Sequence, residues 1–283
     1  MIASPFLRRS FLALVLTLAA TAVAFAQDKP AGSDYQPEVG QTGKDVVWVP
    51  TPQSLVDKML DLAKVTAADY VIDLGSGDGR TVITAAKRGA RALGIEYNPD
   101  MVALSQRNAA TEGMTERATF MKADLFESDF SKATVITMFL LPDINLKLRP
   151  KILDLKPGTR IVSNSFTMGE WQHDRSVHAT EKEGCQSYCT AYLWIVPAKV
   201  DGTWKLPEGE LTIKQSFQMI TGTLRAGGRS TAIKGRMSGD QMSFKAGDAE
   251  YRGRVTADGI KGTVKARSGA RDWSATRSSK AAS

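Results

Sequence analysis

Residues 70–80 read Tyr-Val-Ile-Asp-Leu-Gly-Ser-Gly-Asp-Gly-Arg, and this stretch decides the fold. Its first half, Tyr70–Leu74, is an apolar run typical of a buried strand. The turn after it carries Gly75, Gly77 and Gly79 in the spacing G-x-G-x-G. A strand-to-helix turn without side chains lets a ligand lie against backbone N–H groups at the helix N-terminus. Taken alone, such a turn is equally compatible with a tight turn that binds nothing.

The alternation of strand and helix continues on both sides of this turn. Apolar runs predict strands over residues 92–96, 118–122, 134–140, 160–165 and 191–196. Helical spacing of apolar residues predicts helices over 81–88, 101–112 and 146–153, and one more that opens with Thr51 as N-cap and Pro52 in its first turn. This order predicts an α/β fold with a doubly wound, Rossmann-like parallel sheet over residues 45–199.

Three acidic residues lie where predicted strands end. Asp73 is the next-to-last residue of the first predicted strand, Glu96 ends the second, and Asp124 follows the third. In doubly wound folds a carboxylate after the second strand can accept both ribose hydroxyls of a nucleotide. Asp124 precedes Leu125 and is also a candidate helix cap. Together with the glycines, the three acids favour a nucleotide-containing ligand over a purely structural turn.

With these motifs the sequence resembles the class I, seven-strand methyltransferases that depend on S-adenosylmethionine (SAM). The resemblance implies SAM as the cofactor, with its ribose at Glu96 and its adenine amino group at Asp124. It also implies that the methionine part of SAM lies against the segment from 73 to 79. The residues that the resemblance assigns to that part are Asp73, Gly75, Ser76, Gly77, Asp78 and Gly79.

Four motifs in the same order narrow the resemblance. They are Val49-Pro-Thr-Pro52, Ile72-Asp-Leu-Gly-Ser-Gly-Asp-Gly-Arg80, Gly94-Ile-Glu-Tyr-Asn98 and Ala123-Asp-Leu-Phe126. These motifs resemble those of the protein-lysine methyltransferases related to the mitochondrial enzyme that acts on the c subunit of ATP synthase. The resemblance implies a protein lysine as methyl acceptor. A small-molecule acceptor methylated on oxygen or nitrogen is one alternative. An exported module that binds SAM or a nucleoside without turnover is the other.

The segment after the fourth strand is the candidate acceptor side. Methyl transfer from a sulfonium is an in-line displacement, so holding donor and nucleophile in line supplies most of the acceleration. A lysine acceptor must first lose its proton, which calls for a desolvated, aromatic or carbonyl-lined channel. Phe139 and Pro142 are the candidate catalytic residues lining it, and plain core packing is the alternative. The absence of Asn-Pro-Pro-Tyr here argues against methylation of nucleobase amino groups, so no sequence-specific nucleic-acid partner is predicted.

Cysteine and histidine are scarce, with two of each in 283 residues. Neither a disulfide framework nor a metal site is therefore predicted. His173 and His178 are interpreted as exposed bystanders more readily than as general bases. Cys185 and Cys189 lie four residues apart, and the sequence leaves open whether they pair.

The N-terminal residues have the pattern of an export signal. Residues 1–26 combine a charged start, an apolar centre and the triplet Ala24-Phe25-Ala26, which predicts cleavage before Gln27. An uncleaved membrane anchor is the alternative, and after cleavage no stable membrane span is predicted. The pair Arg8-Arg9 leaves ordinary secretion and twin-arginine export equally open. The expected location is periplasmic or secreted, with residues 27–44 as a flexible linker.

Residues 200–283 have a different pattern. Apolar residues alternate along short segments separated by glycine turns, which predicts an all-β domain, either a small antiparallel barrel or a sandwich. The net charge of +7 is concentrated in this part of the chain. Six basic residues are expected on its polar face: Lys234, Arg236, Arg252, Arg254, Lys261 and Lys265. They predict either an anionic envelope polymer as partner or an ordinary solvated surface.

Overall fold

A seven-stranded sheet occupies the first part of the computed structural model, which describes residues 35–279. Its strands are β1 (Tyr70–Leu74), β2 (Arg91–Glu96), β3 (Ala118–Lys122), β4 (Val135–Met138), β5 (Arg160–Asn164), β6 (Arg175–His178) and β7 (Thr190–Ile195). Its helices are α1 (Gln53–Leu62), α2 (Arg80–Lys87), α3 (Pro99–Thr111) and α4 (Pro142–Leu153), with a short 3₁₀ helix at Glu181–Glu183. The predicted signal peptide, residues 1–26, and linker residues 27–34 lie outside the described part.

Strand β1 is the middle one of the five parallel strands in the sheet, whose order is β3-β2-β1-β4-β5-β7-β6. Val71 packs in an apolar cluster with α1 and α2 on one face, and Ile72 and Leu74 pack with α4 on the other. Burial on both faces explains why β1 reads as a nearly continuous apolar run. The parallel pairing of β1 with β2 and β4 brings their carboxyl ends to one edge of the sheet.

The last two strands correct the prediction of an all-parallel sheet. Strand β7 pairs antiparallel with β5, and β6 pairs antiparallel with β7. No α-helix lies between β5 and β7, and a parallel connection needs a crossover of about a dozen residues or more, usually helical. The chain instead turns back through β6. Because β7 runs antiparallel to β5, its first residues lie at the same edge as the end of β5, with Ala191 opposite Asn164.

The observed starts of α4 and α1 differ from the predicted ones in ways that matter for the site. Helix α4 begins at Pro142, four residues before the predicted start, since proline is well tolerated in the first helical turn. Thr51 does not cap α1; its hydroxyl instead accepts a hydrogen bond from the Asn164 amide at 3.2 Å. Within residues 35–279, no helix is both long and apolar enough to cross a membrane.

The second part of the chain is a closed antiparallel β-barrel of eight strands, which confirms the barrel over the sandwich. Its strands are β8 (Gly202–Leu206), β9 (Gly209–Ser216), β10 (Met219–Ala226), β11 (Arg229–Ser238), β12 (Gln241–Ala246), β13 (Ala249–Thr256), β14 (Gly259–Ala266) and β15 (Gly269–Ser279). Each strand pairs with the next, and β15 pairs with β8 to close the ring.

Aromatic side chains help to fill the barrel. Phe244 stacks on Tyr251 with ring centroids 4.6 Å apart, and Trp273 meets both rings edge-on. On the exterior, three of the six basic residues named above form ion pairs: Arg236 with Asp174, Arg252 with Glu250, and Arg254 with Asp240. The last two pairs lie within the barrel and fit an ordinary charged surface, whereas Arg236 pairs with Asp174 of the sheet part. The anionic polymer partner stays a prediction.

The turn between β9 and β10 joins the barrel to the sheet. Phe217 in that turn stacks on the buried Trp171, with ring centroids 5.9 Å apart and planes 9° from parallel. The next residue, the buried Gln218, donates from Nε2 to the carbonyl of Gln172 at 2.7 Å. The two parts of the fold therefore share a packed contact at the segment between β5 and β6.

We expect Phe217→Ala to lower the free energy of unfolding by about 2 kcal/mol, because it removes a half-buried ring from the contact with Trp171. Urea unfolding followed by circular dichroism measures the change. Met219→Ala, two residues away and 43% exposed, is the matched control and should change stability by less than about 0.5 kcal/mol. Equal unfolding midpoints for the two variants would show that the stacked contact does not hold the parts together.

Candidate functional site

The glycine turn, residues 75–79, follows β1 and leads into α2. All three of its glycines have positive φ, and Gly77 and Gly79 also lack room for a side chain. A Cβ on Gly77 would lie 2.7 Å from Nε1 of Trp48, and one on Gly79 would lie 2.8 Å from the ring of Phe120. The turn therefore needs glycine both for its backbone conformation and for close packing.

Glu96, at the end of β2, holds the turn in place. One carboxylate oxygen accepts from the backbone N–H of Gly77 at 2.9 Å, and the other accepts from that of Asn98 at 3.0 Å. Each oxygen can accept further hydrogen bonds, because an ionised carboxylate offers about four lone-pair positions. Glu96 also lines a cavity, so it can orient the turn and still receive hydroxyl groups of a ligand.

Asp73 is the buried acid of the site. Its carboxylate accepts a hydrogen bond from the Thr137 hydroxyl on β4 at 2.6 Å. The pKa of Asp73 is raised to about 7, first by burial and then by the nearby charges of Glu96 and Asp78, against the opposing effect of the Thr137 hydrogen bond. A cationic group of a ligand beside Asp73 would favour its ionised form.

A cavity beside the turn contains about 740 Å³ of empty space, including its open mouth. Its lining combines ends of the sheet with a stretch ahead of α1 that we call the cover segment, residues 40–49. The lining includes Lys44, Val46, Trp48, Gly75, Ile95, Glu96, Tyr97, Met101, Asp124 and Leu140. The apolar walls with carboxylates at two points are suited to a nucleoside, whose base is flat and whose ribose is polar.

The cover segment folds back on itself above this cavity. Gly40 donates to the carbonyl of Trp48 at 2.8 Å, and the backbone N–H of Trp48 donates to that of Gln41 at 2.9 Å. Residues 40–44 belong to the predicted linker, so its carboxyl end is folded onto the site. The conformation of residues 40–44 depends on contacts with the sheet, and their glycine-rich composition does not predict those contacts.

Asp124 does not cap a helix, because residues 125–127 form a turn and the next helix begins at Pro142. One of its oxygens accepts from the backbone N–H of Phe126 at 2.9 Å, and the other pairs with Lys44 of the cover segment. The Lys44 ammonium, with help from the Phe126 N–H, holds the pKa of Asp124 below its usual range. Lys44 also lies over the Tyr97 ring, 4.8 Å from its centroid. Asp124 thus lines the cavity and anchors its cover.

A second, smaller cavity lies on the other side of the glycine turn. It shares Trp48, Val49 and Gly75 with the first, so the two are adjacent halves of one groove. Its lining includes Thr51, Asp73, Ser76, Gly77, Asp78, Arg80, Met138 and Phe139. Among these, Ser76 Oγ is buried without a hydrogen-bond partner within residues 35–279.

The candidate residues separate into those the structure brings together and those it does not. Phe139 lines the second cavity with Asp73. Pro142 is exposed at the start of α4 and lines neither half of the groove. Asp78 is at the groove, but its carboxylate is bound by Arg80 at 2.6 Å.

Neither histidine lies at the groove. His173 packs on the Tyr192 ring with centroids 4.8 Å apart, and His178 contacts the Thr190 hydroxyl at 3.0 Å. The part of the chain that the structure describes also contains no group of three or more His, Cys, Asp or Glu side chains suited to a metal ion. The groove itself is lined by carboxylates, backbone groups and apolar side chains.

The sequence reasoning missed three contributors to this edge of the sheet. Lys44 lies in the predicted linker, although its ion pair with Asp124 connects the cover segment to the cavity wall. Phe166 and Tyr188 are not among the predicted site residues, although both rings lie within 6.0 Å of the Phe139 ring, measured between centroids. Nothing in their local sequence marks them, since the contact depends on the antiparallel turn between β5 and β7.

Comparison with known proteins gives a consistent result. A family model described as the ANTKMT methyltransferase domain matches residues 73–175. The protein-lysine N-methyltransferase of Saccharolobus islandicus is 42% identical over 154 residues, which cover 53% of this chain and 94% of that protein. The adenine nucleotide translocase lysine N-methyltransferase of Mus musculus is 35% identical over 104 residues. That match covers 36% of this chain and only 45% of the mouse protein.

Similarity to a solved structure agrees with this result. The crystal structure of an RNA methyltransferase from Salinibacter ruber in complex with S-adenosyl-L-homocysteine is 47% identical, with a TM-score of 0.50. The match covers 54% of this chain and 96% of that chain. Its acceptor, by name, differs from that of the two lysine enzymes.

We expect Asp73→Asn to remove part of the pH dependence of stability. In the unfolded chain an Asp ionises near pH 4, whereas folded Asp73 keeps its proton up to about pH 7. The folded state therefore holds more protons between these values, and the contribution of Asp73 to stability falls as pH rises through this range.

Urea unfolding at pH 4.5 and pH 7.5 measures this effect. Between the two pH values, the free energy of unfolding should fall by about 2–4 kcal/mol more for the wild type than for Asp73→Asn. The reason is that each pH unit between the unfolded and folded pKa values changes this free energy by about 1.4 kcal/mol. Asp143→Asn, which removes an exposed carboxylate in the first turn of α4, controls for the loss of one charge. Parallel pH profiles for wild type and Asp73→Asn would contradict the raised pKa.

Proposed function

Because the chain belongs to the family of SAM-dependent methyltransferases that includes the protein-lysine N-methyltransferase of Saccharolobus islandicus, we propose that it methylates the ε-amine of lysine in a protein. Membership in this family confirms the resemblance found in the motifs. The fold agrees, since in the order β3-β2-β1-β4-β5-β7-β6 the glycine turn follows β1, the middle one of the five parallel strands.

The observation that carries the proposal is the position of Glu96. Its carboxylate is fixed by the Gly77 and Asn98 N–H groups and lines the cavity, which places it to receive both ribose hydroxyls. In this proposal the glycine turn and Asp73 hold the methionine part, and Asp124 lies at the adenine. The unpartnered Ser76 Oγ and the three glycines of the turn fit a polar ligand on this surface.

The chain's own residues then have three tasks in the reaction. Bound SAM supplies an electrophilic methyl group on a sulfonium. The glycine turn and Glu96 hold the donor in one orientation, which is the main requirement of an in-line displacement. Asp73 offers a negative charge near the donor's cationic end. The walls around Phe139 exclude water and so lower the pKa of the acceptor amine, which favours the neutral, nucleophilic form.

The acceptor is assigned to protein lysine over RNA for a chemical reason. The segment after β4 reads Met138-Phe-Leu-Leu-Pro142 and lacks the Asn-Pro-Pro-Tyr type of motif associated with amino groups of bases. An apolar, aromatic wall suits an alkyl amine that must be desolvated. The similarity to a protein named an RNA methyltransferase makes RNA the main competing outcome of the test below.

We also propose that the protein works outside the cytoplasm. The pattern of residues 1–26 supports this, and so does the bonded pair Cys185–Cys189, with Cα atoms 5.8 Å apart, because disulfides persist mainly in oxidising compartments. Export requires that SAM reaches the protein there or that the protein leaves the cytoplasm already loaded.

Mass spectrometry of the native protein, isolated from separated cell fractions of its host, tests this location. We expect a mature N-terminus at Gln27 and enrichment in the periplasmic or secreted fraction. A protein that retains residues 1–26 and remains in the cytoplasmic fraction would contradict export.

Calorimetric titration with SAM and with S-adenosyl-L-homocysteine tests the cofactor site. We expect micromolar binding of both, and Glu96→Ala should weaken it at least tenfold because two hydrogen bonds to a charged acceptor are lost. Glu112→Ala, which removes an exposed carboxylate next to the end of α3, is the matched control and should bind normally. Unchanged affinity in Glu96→Ala would reject the assignment, provided that circular dichroism shows both variants to be folded.

Transfer of tritiated methyl groups to a host extract identifies the acceptor class. We expect label that resists ribonuclease, disappears with protease and maps to lysine by mass spectrometry. Label that disappears with ribonuclease would assign RNA as the acceptor. Binding of SAM without any transfer would favour the alternative of a module that binds without turnover.

A further inference from the structure

Three aromatic rings from three separate loops meet at the carboxyl edge of the sheet. Phe139 follows β4, Phe166 follows β5, and Tyr188 precedes β7. The ring centroids are 5.2 Å apart for Phe139 and Tyr188 and 6.0 Å apart for each of the other two pairs. We call these three residues the aromatic cluster. The antiparallel direction of β7 makes the cluster possible, because it brings the start of β7 to the end of β5.

The aromatic cluster is not part of the buried core. Phe139 and Phe166 are half-buried, and Tyr188 is 45% exposed. Aromatic rings that pack for stability alone are normally covered, whereas a cluster open to solvent offers its faces to a ligand. Phe139 also lines the groove together with Asp73 and Gly75. The cluster therefore lies next to the place where the methyl donor is proposed to bind.

The backbone around the cluster adopts conformations that are unusual for its residues. Ser165, directly before Phe166, has a φ of 58°, and Tyr188 itself has a φ of 55°. Non-glycine residues in this left-handed region cost about 1 kcal/mol or more and occur preferentially at functional sites. Both residues lie where the backbone changes direction and directs a ring toward the cluster: Ser165 precedes Phe166, and Tyr188 carries the ring itself.

A disulfide bond adjoins the exposed ring. Cys185 is buried in the core cluster of the sheet, and Cys189 directly follows Tyr188. The bond closes a short loop, residues 185–189, that carries Tyr188. Such a closure removes many conformations that the open loop would otherwise sample. The disulfide thus restricts where the Tyr188 ring can lie.

We propose that Phe139, Phe166 and Tyr188 bind the ammonium head of the acceptor lysine, and that the Cys185–Cys189 disulfide holds Tyr188 in this site. The proposal rests on the proposed function, because it takes the acceptor to be an alkyl amine. The faces of aromatic rings attract cations and suit alkylated ammonium groups in particular. They also favour the positive charge that develops on the amine nitrogen as the methyl group is transferred.

Binding of a product-like probe tests the aromatic cluster separately from the cofactor site. The protein is first saturated with S-adenosyl-L-homocysteine and then titrated with Nα-acetyl-Nε-trimethyl-lysine methylamide. The parallel titration uses the uncharged analogue in which carbon replaces the quaternary nitrogen. We expect the cationic probe to bind about fivefold more tightly or better, which matches a cation–π contact. Equal affinities for the two probes, or no binding of either, would overturn the proposal.

Two variants locate the contact. Tyr188→Ala should weaken binding of the cationic probe by about fivefold or more, and Tyr188→Phe should retain it. Gln186→Ala, an exposed change in the same loop, is the matched control and should bind as the wild type does. Affinity for S-adenosyl-L-homocysteine should be the same in all four proteins. If that affinity is absent from the wild type, the proposed function fails; if it is present and Tyr188→Ala binds the probe normally, only the aromatic site fails.

Reduction tests the role of the disulfide. Dithiothreitol breaks the S–S bond and adds two electrons and two protons to give two thiols, while the reagent is oxidised to its cyclic disulfide. The reduced wild type should bind the cationic probe about as weakly as Tyr188→Ala, and reduction of Tyr188→Ala should have no further effect. An unchanged probe affinity in the reduced, folded wild type would show that the disulfide does not position Tyr188.

Discussion

The contact between Glu96 and the backbone of the glycine turn is the constraint on which the site depends. Through its two carboxylate oxygens, Glu96 connects Gly77 after β1 with Asn98 ahead of α3, so two loops at the sheet edge are tied together. On its other side the turn is packed against Trp48, which leaves no room for a side chain at Gly77. A ligand in the groove therefore contacts a backbone that is already fixed, and little ordering remains to be done on binding.

Features set by local sequence are predictable. The predicted strand Tyr70–Leu74 has the observed bounds, because a strand buried on both faces is apolar at nearly every position. The glycine spacing and the acid at Glu96 identify the edge of the sheet that carries the groove. In the last third, alternating apolar residues and glycine turns predict a meander, and the observed pairing of β15 with β8 decides for a closed barrel.

Features set by contacts between distant residues are not predictable in the same way. Lys44 and Asp124 are 80 positions apart, and the composition around Lys44 is that of a linker. Tyr188 reaches Phe139 only because β7 runs antiparallel to β5, and the apolar pattern of β7 is the same for either direction. The contact of Phe217 with Trp171 likewise joins the barrel to the sheet, whereas the sequence patterns predict each of these two parts separately. Direction and docking are properties of the assembled chain, so a single sequence leaves them open.

The two sides of the groove differ in a way that follows from the charges of a methyl transfer to an amine. A sulfonium donor and an ammonium acceptor repel each other, and this repulsion favours the neutral amine. Glu96 and Asp124 line one half of the groove, whereas Asp73 shares the other half with Phe139, and there the pKa of Asp73 is raised to about 7. A carboxylate beside the amine would raise the amine's pKa and keep it protonated. Aromatic faces attract the cation with a weaker effect on its proton, so the rings around Phe139 are suited to binding a lysine that must then act as a nucleophile.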